Sequence, residues 1–107
     1  MKDSSAYVTR HAKERIHERM GLGKNNTNRI ADIALEKGLA HGETKGKLRK
    51  YLSSLFLTHG VGNNMRVYAE KVFVFQGNRL ITVLPLPNDF KKIANICMAE
   101  KRKGKAS

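Results

Sequence analysis

The stretch KVFVFQGNRLITVLPL, residues 71–86, decides the fold. Two runs rich in β-branched and aromatic residues flank Gly77-Asn78, and such a dipeptide between alternating runs is a two-residue hairpin signal. That hairpin sets Phe75 opposite Leu80 and Phe73 opposite Thr82. Upstream, MRVYA (65–69) has the same period of two. If Ala69 and Glu70 form a second tight turn, Arg66 lies opposite Phe73, and one row across the sheet reads Arg66, Phe73, Thr82. One extra residue in that turn would move Arg66 to the other face. The expectation is an antiparallel meander of three strands, ended by Pro85 and Pro87.

Before the meander the period is helical. Thr9 is a plausible N-cap for a helix from Arg10 to about Met20, stopped by Gly21 and Gly23. Asn26 or Thr27 caps a second helix that turns Ile30, Ile33 and Ala34 inward and ends at Gly38. Leu48, Tyr51, Leu52, Leu55 and Phe56 recur at helical spacing and form one buried face of a third helix. After the prolines, NDFKKIANICMAEK (88–101) predicts a short final helix. Together these signals give an α+β fold, with N-terminal helices on one face of a three- to four-stranded antiparallel sheet and one core. A single domain over 1–100 and a disordered basic tail over 101–107 are expected.

The composition narrows the partners. Lys plus Arg number 21 against 9 Asp plus Glu, a net charge of +12. Without the four cations of the tail the remainder still carries +8, so the field belongs to the folded part. It raises encounter rates with polyanions and makes binding salt-dependent. Basic peripheral membrane proteins share such a charge. No apolar run approaches the roughly 18 to 20 residues needed to span a bilayer, so no membrane insertion is expected. The single cysteine, Cys97, excludes an internal disulfide and points to a reducing, cytoplasmic setting.

The candidate chemistry lies in RHAKERIHERMG, residues 10–21. With His11 at zero and about 100° per residue, Arg15 and Arg19 fall near 40° and 80°, beside Ala12, Ile16 and Met20 near 100° to 180°. His11, Arg15 and Arg19 therefore border the buried face, while His17 and Lys13 face away. An ordinary salt-bridged helix surface produces similar spacing and carries comparable weight. In the sheet, Thr82 is the one polar side chain of an otherwise apolar strand and calls for a partner or a function. Thr is also common in strands for its shape alone. Tyr68 supplies a second hydroxyl. His11 and His17 do not form a helical zinc pair, GLGKNN and HGETKGK lack the spacing of a phosphate loop, and Cys97 holds an apolar helical position. No metal or other cofactor is expected.

The order of features, with RHAKERIHERMG and VFVFQGNRLITVLPLP, resembles the small metal-independent ribonucleases that include barnase, EndoU, colicin-type transfer-RNA cleavers and RelE toxins (the BECR superfamily). The resemblance spans most of residues 7–90. It implies a toxin endoribonuclease that cleaves RNA, transfer RNA among the candidates, to a 2′,3′-cyclic phosphate and a 5′-hydroxyl. His11 would move the proton, Arg15 would hold the phosphate and Thr82 would orient it. Arg19, Arg66, Tyr68 and His17 would bind substrate. The barnase pattern's catalytic Glu has no counterpart. An acidic immunity protein or antitoxin would be the partner, and the toxin would act in the cytoplasm, including that of a target cell after delivery. The competing expectation is a non-catalytic RNA- or DNA-binding accessory protein, and a third is a basic adaptor for an acidic surface.

Overall fold

The computed structural model describes residues 6–21, 24–59 and 64–106. Its middle strand, Lys71–Gln76, buries four consecutive side chains. Phe73 and Phe75 enter one face of the sheet and Val72 and Val74 the other. A strand buried on both faces reads as a continuous apolar run, which is why this segment alternates Val with Phe instead of apolar with polar. The elements in chain order are β1 (Tyr7–Val8), α1 (Arg10–Met20), α2 (Lys24–Lys37), β2 (Leu39–Ala40), a 3-10 turn (His41–Glu43) and α3 (Gly46–His59). They are followed by β3 (Asn64–Tyr68), β4 (Lys71–Gln76), β5 (Arg79–Pro85) and α4 (Asn88–Ala106).

The meander β3-β4-β5 is antiparallel as expected, but the sheet has five strands in the order β1-β5-β4-β3-β2, and β1 runs parallel to β5. β1 and β2 contribute only two residues each, too few to register as an alternating pattern. The pairing of β1 is limited to Tyr7 with Arg79 and Val8 with Leu80, so residues 81–85 of β5 have no described strand on their outer side.

Helices cover both faces, not one. Ala12 and Ile16 of α1 and Ala31 and Ala34 of α2 pack with Phe73, Phe75, Leu80 and Val83. Leu48 and Leu52 of α3 and Ala94 and Cys97 of α4 pack with Met65, Val67, Val72 and Val74. The single expected core is therefore two, divided by the sheet. Each fully buried Val, Leu, Ile or Phe among them contributes about 1.5–3 kcal/mol relative to exposure. α4 continues through Ala106, so residues 101–106 are helical where a disordered tail was expected. The Lys101 ammonium donates to the Gly38 carbonyl at 2.8 Å and meets Glu43 at 2.9 Å, which ties the end of α4 to the α2–β2 junction.

α1 begins and ends where the sequence predicts. The Thr9 hydroxyl accepts from the Ala12 N–H at 3.1 Å and donates to the Leu80 carbonyl at 2.9 Å. One side chain thus caps the helix and fastens it to β5. Gly21, at φ 68°, closes the other end by donating its N–H to the His17 carbonyl. Gly38 is required for contact: an added Cβ would lie 2.5 Å from the Ala34 carbonyl and 3.0 Å from Arg66 Cβ.

The β3–β4 turn is tight, with Ala69 at φ 51° and Glu70 at φ 60°. Left-handed backbone at both central positions favours Asn-Gly, and L side chains there cost roughly 1–2 kcal/mol each. Ala69→Asn combined with Glu70→Gly is expected to raise stability by about 1–2 kcal/mol, read as a higher urea midpoint. Gly38→Ala is expected to lower it by about 1–3 kcal/mol through overpacking.

Candidate functional site

The second hairpin has the expected start, Phe75 opposite Leu80, and a different continuation. A register shift follows, so that Val74 pairs with Thr82 and Phe73 with Val83. Ile81 is the extra residue. Inserting one residue exchanges the faces of everything beyond it. Directly paired residues share a face, so Thr82 accompanies Val74 on the α3–α4 side of the sheet. Arg66 does pair with Phe73, as the Ala69–Glu70 turn requires, and lies on the α1–α2 side. The expected row of Arg66, Phe73 and Thr82 is corrected to Arg66, Phe73 and Val83, and the hydroxyl at 82 is separated by the sheet from α1.

The α1 stripe takes its expected angular position. Ala12 and Ile16 are fully buried, His11 and Arg19 are exposed and Arg15 is half-buried. The Arg15 guanidinium donates to Glu18 Oε1 at 2.6 Å, with about one third of its side chain exposed. This pair is the i, i+3 surface bridge that competes with a phosphate-binding role. His17 is exposed, and its carbonyl serves the helix cap. Arg66 is occupied structurally: its Nε donates to Asn64 Oδ1 at 3.0 Å and its Nη1 to the Leu35 carbonyl at 2.5 Å. A guanidinium there satisfies a carbonyl in the last turn of α2, which has no partner within its own helix. Tyr68 is half-buried and packs against the α1–α2 core. His11, Arg15 and Arg19 thus remain together on one helix, Arg66 and Tyr68 lie on the same side of the sheet as that helix, and Thr82 lies on the other.

Charge separates across the sheet in a way the linear sequence conceals. α3 and α4 carry nine Lys and Arg against two acidic residues, Asp89 and Glu100. α1 and α2 carry seven against four. Lys47, Arg49, Lys50, Lys92, Arg102 and Lys103 are exposed, so the α3–α4 layer is a basic surface.

Two side-chain groupings near the 3-10 turn escaped sequence reasoning because they join segments far apart in the chain. His41 Nε2 lies 2.8 Å from Ser53 Oγ. Glu43 accepts from the Ala40 N–H at 2.8 Å and from Lys101. Burial pushes the Glu43 carboxyl upward, but the Ala40 hydrogen bond and the Lys101 ammonium outweigh it, so the net displacement is below the ordinary carboxylate value. Among the described residues no group of three His, Cys, Asp or Glu is placed to hold a metal, and no helix is long and apolar enough to cross a membrane.

Comparison with protein-family models, with curated proteins and with solved structures gave no match.

A carboxyl whose value is depressed by folding contributes stability above its unfolded value and loses it as pH falls through the folded one. The stability difference between the wild-type protein and Glu43→Gln is therefore expected to be constant above about pH 5 and to shrink below about pH 4.3. Urea titrations of both proteins across that range check it, and a difference independent of pH would exclude an ionic role for Glu43.

Proposed function

We propose that this protein binds RNA through the basic layer formed by α3 and α4. The observation that carries the reading is the concentration of nine Lys and Arg against two acidic residues on these two helices. Phosphate neutralisation releases condensed counterions and accounts for most non-specific affinity. Lysine and arginine on neighbouring helix faces fit a chain of phosphates, and a field of +12 speeds the encounter. Expected here is binding whose logarithmic affinity falls linearly with the logarithm of salt, with a slope of roughly −0.7 per phosphate neutralised on a single strand. Lys47→Ala, Arg49→Ala and Lys50→Ala together should make that slope shallower by up to about 2. Arg10→Ala, Lys13→Ala and Arg19→Ala together should change it less. Fluorescence anisotropy at several salt concentrations measures both, and the opposite ranking would move the interface to α1.

A second reading is an endoribonuclease toxin, and one observation favours it: His11 is exposed one turn before Arg15, beside the N-terminus of α1 that Thr9 fastens to β5. RNA supplies its own nucleophile, the 2′-hydroxyl, so cleavage to a 2′,3′-cyclic phosphate needs a proton acceptor, a donor and positive charge at the phosphorane. An imidazole performs either proton step near neutral pH, and a guanidinium grips phosphate. Thr82, on the other face, has no part in this version, and Arg15 must leave Glu18 to take part. Such an enzyme would require an acidic immunity protein or antitoxin in the cell that makes it. Incubation with total and transfer RNA in EDTA decides between the readings. New cyclic-phosphate ends that are lost in His11→Ala establish the enzyme, and binding by both proteins without cleavage leaves the binding module.

A further inference from the structure

The basic layer contains a concavity. A cavity of about 280 Å³ lies between α4 and the strained Ala69–Glu70 turn. Leu39, Val67, Ala94 and Met98 give it an apolar lining, and Asn95, Arg102 and the acidic Glu70 of the turn are polar groups along it. Along α4 the residues that face the turn are spaced four, three and four apart: Lys91, Asn95, Met98 and Arg102. Lys91 Nζ lies 3.6 Å from the Glu70 carboxylate, which brings it to the turn, and Arg102 is exposed. Two cations thus stand about 16 Å apart along the helix axis, with the cavity between them.

We propose that this cavity receives one unpaired base of a single-stranded RNA, a proposal that rests on the RNA-binding reading above. A base has two apolar faces and a polar edge. The apolar lining, with the polarizable thioether of Met98, suits the faces. The Asn95 amide offers both a donor and an acceptor to the edge. Phosphates a few nucleotides apart, on either side of the bound base, span the separation of Lys91 and Arg102, and Lys91 must leave Glu70 to meet one of them. Duplex RNA keeps its bases stacked and paired and cannot fill the cavity, whereas single strands present splayed bases. The same α4 surface would then hold both substrates by charge and distinguish them by shape.

The test compares three fluorescent probes at low salt: a 12-nucleotide single strand, the same strand with its central bases removed, and a 12-base-pair duplex. Removing the bases is expected to weaken binding to the wild-type protein about tenfold. Asn95 is exposed, so Asn95→Leu leaves the cores intact while removing the amide and narrowing the mouth. In that variant the base-removed and intact strands should bind within twofold of each other, with duplex affinity unchanged. The Met98 methyl resonance should shift with the intact strand and not with the base-removed one. Equal wild-type affinity for both single strands would overturn the cavity proposal while leaving RNA binding in place, as would equal weakening of all three probes by Asn95→Leu. Failure to bind any probe would overturn both readings.

Discussion

Everything in this molecule is hung on the central strand, which must bury Phe73 and Phe75 toward one pair of helices and Val72 and Val74 toward the other. Because β4 has no solvent-facing side along those four residues, its neighbouring strands must flank it with covered side chains on both faces. β3 supplies Met65 and Val67 to the α3–α4 side and turns Arg66 and Tyr68 to the α1–α2 side. β5 changes faces at its bulge, so Leu80 and Val83 both reach the α1–α2 core. Leu80 and Val83 are three residues apart, so strict alternation without the bulge at Ile81 would turn one of them away from the aromatic pair.

That bulge also explains how far a site can be inferred from sequence. The caps of α1, the two tight turns and the pairing of Arg66 with Phe73 were legible, because each rests on local chemistry within a few residues. The bulge was not. ITVL offers no glycine or proline to mark an insertion, and its residues are content on either face of a sheet. A shift of one residue was enough to carry Thr82 away from His11 and Arg15. The parallel β1 was hidden by its length, and the reach of α4 by a basic terminal sequence whose Lys101 finds carbonyl and carboxylate partners more than fifty residues away.

The distribution of charge was illegible for a related reason. The basic residues of the helices are spread along the chain from α1 to α4, and only the sheet sorts them into a richly basic layer and a less basic one. Glu14 and Glu18 keep company with the arginines of α1, and Glu18 engages Arg15 directly. α3 has no acidic residue at all. The helix with the most suggestive sequence is therefore not the one with the strongest field. The cavity in the basic layer adjoins the turn whose two central residues have left-handed backbone, an association in which strain is held by the contacts around it.

The outer side of β5 past Leu80 has a bearing on how copies of the protein tolerate each other. A bare strand edge is a template onto which a second chain can add. On this side of β5, among the described residues, 82–85 have no partner strand, the Ile81 carbonyl meeting the Thr9 hydroxyl, and Pro85 ends them with a nitrogen that cannot donate. Like charge keeps neighbours apart as well, over a screening distance of about 10 Å at 0.1 M salt that contracts as salt is added. Concentrated electrolyte removes that long-range guard and leaves the protection of this edge to its shortness and one imino acid.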